Sequence, residues 1–377
     1  MGQNGLVPLE DLPKQIPAIE LSTLLKVSNA LASTLDLAEV LRITIESATT
    51  LLSLETGAIY TLEKNDLCLG ATIPPMPPDF PRELRLARLK DHPHIRESVT
   101  TKKPVYLPDA RKVTLTPAEQ VAVKERKLIS LLYFPLLLKD DVIGVFIVGS
   151  NKRVRSFTEN EIDLCAALSG QSALAISNAK LYKRAQQAVV DITRAYDATL
   201  EGWSRILDMR DRVTDEHTHR VADLTVDLAT KMGIPESELG DMRRGALLHD
   251  IGKMGIPDAI LQKPDKLTET EWAIMQTHPE LAYQFLSHIN YLAPAIDIPY
   301  CHHEKWDGTG YPRKLKGDEI PLAARIFTVV DVFDALTSDR PYRKAWEKED
   351  ALAYIREQSG RHFFPESAKA FLELLGE

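Results

Sequence analysis

The stretch Leu248-His249-Asp250-Ile251-Gly252-Lys253 decides how this chain is read. It sets an imidazole beside a carboxylate, adds a glycine that permits a tight turn, and places a cation three residues on. A lone His-Asp pair is a weak signal. It gains weight from Glu216-His217-Thr218-His219-Arg220-Val221 upstream, and from His278-Pro279 downstream. Further on come Cys301-His302-His303-Glu304-Lys305-Trp306-Asp307-Gly308-Thr309-Gly310-Tyr311-Pro312, then Asp331-Val332-Phe333-Asp334. Seven of the ten histidines lie between His217 and His303, where an even spread would put two or three. A packed core needs few imidazoles, so the enrichment argues for a site.

A chain of 377 residues is too long for one ordinary core and fits two domains. Hydrophobic and charged contents of 44% and 27% are those of a soluble globular protein. A net charge of -8 argues against a general binder of nucleic-acid polymers or anionic membranes, so an anionic substrate would need a local cationic pocket. Cys68, Cys165 and Cys301 are widely separated and odd in number, which predicts reduced thiols and a cytoplasmic location. Met1–Glu20 carries acidic residues and prolines and no apolar core, unlike a secretory signal. The most apolar stretch, Leu131–Val148, is broken by Pro135 and Lys139-Asp140-Asp141 and reads as two buried strands joined by a turn rather than a membrane span.

Residues 1–18, with Pro8, Pro13 and Pro17, form a loose lead-in. Leu21, Leu24, Leu25, Val27 and Leu31 make a helical stripe, and Asp36 caps a second helix carrying Val40, Leu41, Ile45 and Leu51. Strand-like segments follow at 57–62, 67–71 and 104–107, with a proline-rich loop before the last. The hairpin Ser130–Leu138 and Val142–Val148 comes next, and Thr158, facing Glu161 three residues on, opens a long helix. This order resembles a GAF domain, an antiparallel sheet with flanking helices, over roughly residues 20–180. Some GAF domains bind cyclic nucleotides; Asn151-Lys152, Phe157 and Glu161 match part of that signature, but Ile162 stands where a glutamate would be. The resemblance implies either an unknown small-molecule ligand or a packing and dimerisation module.

No proline interrupts the helix from Thr158 until Pro235. Leu181, Ala185, Val189, Ile192, Tyr196, Leu200, Trp203 and Leu207 recur three or four apart, which predicts a connecting helix over 181–207 that pairs with its copy in a homodimer. The alternative is an amphipathic helix packed on its own domain. Residues 208–377 read as nearly all helix, with segments at 222–232, 237–248, 268–276, 279–292, 323–337, 348–357 and 365–375 and an inserted loop over 307–318.

His249-Asp250 followed by His302-His303-Glu304 and Gly310-Tyr311-Pro312 resembles an HD-GYP domain over about residues 205–375. Further matches, in the family's order, are His217-Thr218-His219-Arg220-Val221, Lys263-Pro264, Ile320-Pro321, Asp331 with Asp334-Ala335-Leu336, and Arg340-Pro341-Tyr342-Arg343. The chain is thus expected to hold an α+β GAF-like domain (19–180), joined by the connecting helix to an all-α, HD-type metal-dependent phosphohydrolase domain (208–377). The resemblance implies hydrolysis of the bacterial second messenger cyclic di-GMP to linear pGpG, and on to GMP as a further step. A related cyclic dinucleotide such as cyclic GMP-AMP is the alternative substrate. A binding module without turnover is the rival class, and the Gly-Tyr-Pro loop argues against a generic nucleotide phosphohydrolase.

Phosphodiester cleavage needs an activated water and shielding of phosphate charge, which two metals about 3.5–4 Å apart supply. The resemblance assigns ligation to His217, His249, Asp250, His278, His302, His303 and Asp331, with Asp250 bridging. Imidazole with carboxylate suits iron, manganese or zinc, and the family favours iron. Some members add a third metal through a glutamate four residues before the first histidine. That position is Val213 here, and Glu216 is turned by about 100° off the ligand face, so two metals are expected. By resemblance Lys253 contacts the phosphate and stabilises transition-state charge, making Asp250 and Lys253 the catalytic pair. Gly310 and Tyr311 belong to the substrate loop, and Arg340 and Arg343 offer guanidinium forks to phosphate oxygens. Asp307 and Asp334 are candidates for orienting histidines. Trp306 either stacks on guanine or fills the wall, Glu304 braces the loop or a histidine, and Cys301 is packing. His219, His288, His362, His92 and His94 are read as ordinary.

Overall fold

The computed structural model describes residues 18–76, 82–211, 217–339 and 344–376. The chain divides into two compact units, Met1–Val189 and Val190–Glu377.

In the first unit, helices α1 (Ala18–Ala32) and α2 (Leu37–Leu51) precede the sheet. Asp36 caps α2 as expected, its Oδ1 accepting from the amides of Ala38 at 2.7 Å and Glu39 at 3.1 Å. Six strands follow: β1 (Thr56–Glu63), β2 (Asp66–Ile73), β3 (Leu86–Arg88), β4 (Val105–Leu107), β5 (Ser130–Leu138) and β6 (Asp141–Ser150). They pair antiparallel in the order β3-β2-β1-β6-β5-β4. Strand alternation splits the side chains between two cores. Ile59, Leu132, Phe134, Phe146 and Val148 pack with Val40, Leu41 and Ile45 of α2 and with Leu168 and Ile176. Tyr60, Leu131, Tyr133 and Val145 face Ile95 and Leu107 on the other side. Both faces are covered, which is why β5 reads as an unbroken apolar run rather than an alternating one. Helices α3 (Pro93–Thr101) and α4 (Pro117–Arg126) are too short to declare themselves by periodicity; each begins with a proline where the amide would lack a partner anyway.

Helix α5 runs from Glu159 to Asp211, through the boundary between the units. Thr158 and Glu161 make the expected reciprocal cap: the Thr158 amide donates to Glu161 at 2.9 Å, and the Glu161 amide to Thr158 Oγ1 at 3.3 Å. Leu181, Val189, Ile192 and Trp203 are exposed, and Tyr196, also exposed, stacks on Tyr291 at 5.1 Å between ring centroids. Leu200 and Leu207 correct the expected seam: both are 4% exposed, and Leu200 packs on Leu248, Leu286 and Leu292 of its own helical unit.

The second unit continues with α6 (His217–Lys231), α7 (Glu236–Leu247), α8 (Glu269–Met275), α9 (His278–Leu286), α10 (Asp297–Cys301), α11 (Leu322–Thr337), α12 (Lys348–Glu357) and α13 (Pro365–Leu374). Thr268 forms the expected capping box with Glu271 on α8. The helix expected over 279–292 stops at Leu286, and a 3-10 segment, Asn290–Ala295, takes over around Pro294. Helix α11 is central: Ala324, Ile326, Phe327, Val329 and Val330 are all fully buried, and the last four meet Val221, Leu228, Ala246, Leu352 and Phe371. Two carboxylates, Asp331 and Asp334, interrupt this apolar helix. Among the described residues no helix is long and apolar enough to cross a membrane.

Candidate metal centre

Five elements deliver the histidines and acids to one place. His217 opens α6, His249 and Asp250 end the α7 turn, and His278 opens α9. His302 and His303 follow α10, and Asp331 lies on α11. Gly252 fixes one junction. A Cβ there would stand 1.8 Å from the His278 carbonyl oxygen, so only glycine lets the Asp250 turn lie against the start of α9.

The seven residues fall into two groups whose donor atoms lie within 4.8 Å of one another: Asp250, His278, His302 and His303 in one, His217, His249 and Asp331 in the other. Asp250 reaches both. Its Oδ1 is 3.3 Å from His278 Nε2 and 3.8 Å from His302 Nε2, and its Oδ2 is 3.1 Å from His249 Nε2. His249 Nε2 is in turn 4.0 Å from Asp331 Oδ1. No cysteine joins either group among the described residues, and Cys301 is fully buried with burial pushing its thiol up to about 12.

The far nitrogens set the tautomers. Nδ1 of His249 donates to the Ala246 carbonyl at 2.8 Å, that of His278 to Met275 at 2.8 Å, and that of His302 to Ile298 at 3.1 Å. A carbonyl can only accept, so in each neutral ring Nε2 carries the lone pair, aimed inward. His217 Nδ1 meets the Asp334 carboxylate, which Arg220 also holds, with Nη2 at 3.0 Å. Asp334 is therefore placed to orient a histidine. Asp307 is not: its Oδ1 accepts from the Thr309 amide at 2.9 Å and closes a turn.

Burial, with the neighbouring imidazoles, holds His302 and His303 well below the usual histidine range, and burial also lowers His278. All three are neutral donors. Burial acts the same way on His249, but the carboxylates of Asp250 and Asp331 outweigh it and raise that ring to about 9. Burial opposes the charge of Asp250, yet His249 and Lys253 hold it well below the ordinary carboxylate range.

Lys253 Nζ lies 2.7 Å from Asp250 Oδ2 and 2.8 Å from Asp211 Oδ2. Asp211 and its neighbour Arg210, on the last turn of α5, were not legible as site residues. Arg210 donates through Nη1 to the Met254 carbonyl at 2.9 Å and through Nη2 to that of Ile256 at 2.9 Å, clasping the turn that carries Lys253. The only hint in sequence is an Arg-Asp pair a few residues before His217.

Tyr311 stacks on His303 at 4.7 Å between ring centroids. Its phenol is raised, by burial first and then by Asp250, and stays protonated. Gly310 is required by its own chain: a Cβ would stand 2.4 Å from the Lys305 amide nitrogen and 2.5 Å from Glu304 Cα. Glu304 braces the loop as expected, accepting from the amides of Arg313 at 2.7 Å and Leu315 at 3.0 Å. Trp306 fills the wall, 4.9 Å from the Phe364 ring with Arg325 over its face. Arg340, Arg343, Val213 and Glu216 lie outside the described residues.

The first unit has a cavity of about 80 Å³ whose lining includes Tyr60, His92, Glu119, Arg126 and Tyr133. His94 and Glu119 pair beside it at 2.7 Å.

A helical unit that gathers five histidines and two aspartates around a His-Asp step is the arrangement of the HD domain class, and residues 201–366 match the HD domain family. Residues 34–177 match the GAF domain family, so the chain carries a GAF domain followed by an HD domain. Among curated relatives, the 3'3'-cGAMP-specific phosphodiesterase 2 of Vibrio cholerae is 41% identical, covering 49% of this chain and 36% of the relative. The cyclic di-GMP phosphodiesterase response regulator RpfG of Xanthomonas campestris is 43% identical, covering 46% and 47%. The cyclic di-GMP phosphodiesterase of Thermotoga maritima is 40% identical, covering 52% and 53%. The chain thus spans about half or less of the length of these relatives.

Proposed function

We propose that this chain is a metal-dependent phosphodiesterase that opens cyclic di-GMP to linear pGpG, with cleavage on to GMP as a second step. The observation that supports it is the division of the Asp250 carboxylate between two groups of buried donors. The donor set fits a pair of cations. His278 and His302 point Nε2 at Nε2 across 3.3 Å, and with both Nδ1 hydrogens committed to carbonyls, two lone pairs face each other. A cation between them relieves that repulsion.

His278, His302, His303 and Asp250 would hold one ion, and His217, His249 and Asp331 the second, with Asp250 shared. Iron is the ion the family resemblance favours, and manganese or zinc suit the same donors. When bound, the pair supplies an activated water and offsets charge at the attacked phosphate. The ammonium of Lys253 has three N–H bonds, two of them taken by Asp250 and Asp211; the third is offered to a phosphate oxygen. Tyr311 and the backbone around Gly310 form the wall that receives the dinucleotide, and Arg340 and Arg343 supply cations to its phosphates. In the GAF domain a small molecule occupies the cavity and regulates turnover, and the exposed residues of α5 pair two chains as a cytoplasmic homodimer.

A second reading, hydrolysis of 3'3'-cGAMP, is favoured by the name of the Vibrio relative. One assay separates the readings. Reduced, iron-loaded protein is incubated with cyclic di-GMP, with 3'3'-cGAMP and with a nucleoside triphosphate, and the products are chromatographed. Linear pGpG supports the proposal; preferential opening of the mixed dinucleotide moves the substrate. Binding without turnover leaves a signalling module, and triphosphate hydrolysis alone leaves a generic phosphohydrolase.

A further inference from the structure

Asp208 lies on the penultimate turn of α5, three residues before the aspartate that holds Lys253. It is 5% exposed. Its Oδ1 accepts from Thr218 Oγ1 at 2.8 Å, and Thr218 is the residue after His217. Its Oδ2 has no hydrogen-bond partner, and no lysine or arginine pairs with it among the described residues. Its electrostatic neighbours are His217, His249 and Asp250, all from the candidate centre. A buried carboxylate with neither cation nor full hydrogen bonding is costly. Something must compensate it, and the described side chains around it do so only in part.

We propose that Asp208 is an outer electrostatic anchor of the metal pair: it touches no ion, and its charge is balanced by the cations held at His217, His249 and Asp331. The proposal rests on the two donor groups holding metal, and not on which cyclic dinucleotide is cleaved. In the metal-free protein Asp208 is a buried carboxylate compensated only in part, which destabilises the fold; in the loaded protein its charge tightens the cations. The Thr218 hydrogen bond fixes the carboxylate behind His217, so its distance from the ions is set by α5 and α6 together. Asp208 is thus a positioning residue whose contribution changes sign with occupancy.

The test is Asp208→Asn in the full chain. The amide keeps an acceptor for Thr218 and removes the charge. Metal affinity is measured by competition with a chromophoric chelator, and thermal midpoints are measured with and without chelator. Metal affinity is expected to fall by about tenfold at one of the two sites. The metal-free midpoint is expected to rise by about 2–4 °C. A merely structural role would lower both, and that result, or unchanged affinity, overturns the proposal. Thr218→Val removes the hydrogen bond and keeps the charge; it must cost less affinity than Asp208→Asn, and an equal loss would show that the tether acts rather than the charge. Wild-type protein that takes up no cation would instead remove the metal reading itself.

Discussion

Nε2 of His278 lies 3.3 Å from Nε2 of His302, although the two residues are 24 positions apart and each ring gives its other nitrogen to a carbonyl of its own turn. Two acceptors held that close store repulsion until a cation or proton enters. Metal removal is therefore expected to destabilise the HD domain. With free metal at 100 times its dissociation constant, linkage contributes about 2.7 kcal/mol, or roughly 5–10 °C in midpoint. Differential scanning calorimetry with and without chelator measures it; superimposable melts would mean that the rings hold no ion.

Asp250 is the shared donor, so its loss should affect both ions. Asp250→Ala is expected to reduce bound metal from two per chain toward zero and to bring phosphodiesterase activity to background. Elemental analysis of anaerobically purified protein reads the first outcome. One ion retained at full occupancy would remove Asp250 from the bridge, and three ions in the wild type would show a ligand beyond these seven.

Asp334 holds His217, and His217 belongs to only one donor group. Asp334→Asn should therefore weaken one ion by about 10–100-fold and leave the other unchanged. Biphasic metal titration distinguishes the sites. Equal weakening of both would mean that Asp334 supports the fold rather than one ring.

A methyl at Gly310 collides with the backbone of Glu304 and Lys305. Gly310→Ala should displace the loop, unstack Tyr311 from His303 and cost about 1–3 kcal/mol. Urea unfolding gives the energy, and a raised KM reads the displaced substrate wall. A variant with wild-type stability and KM would show that the loop adapts freely.

His362 is lowered to about 4 by burial and by Lys305, partly countered by Asp307. Its folded value lies below the ordinary histidine value of 6.5, so the unfolded chain takes the proton first. The stability it contributes is complete above pH 6.5 and declines as pH falls from there toward 4. His362→Gln should flatten the loss of thermal midpoint between about pH 7 and 5 relative to wild type. Parallel pH profiles for the two proteins would assign the slope to other groups.

Much of this was legible in the chain itself. Asp36, Thr158 and Thr268 announce helix starts because capping is local chemistry, settled within four residues. Five of the six strands of the first domain, all but β3, and most helices of the second are readable from local pattern, and the seven candidate donors from the resemblance to the HD-GYP pattern. Contacts across long separations were not legible. Leu200 and Leu207 carry the same period as their exposed neighbours on α5, yet both are buried, Leu200 by packing on Leu248 and Leu286. Asp307 and Asp334 look alike as acids near histidines; the turn at Thr309 occupies one, and the approach of α6 to α11 hands the other to His217. Asp208, Arg210 and Asp211 enter the site because the end of α5 folds against the Lys253 turn and Thr218. Residue type and motif resemblance mark which residues can bind; the meeting of distant segments decides which of them share a partner, because a side chain's charge and donors are local while its neighbours are set by the whole core.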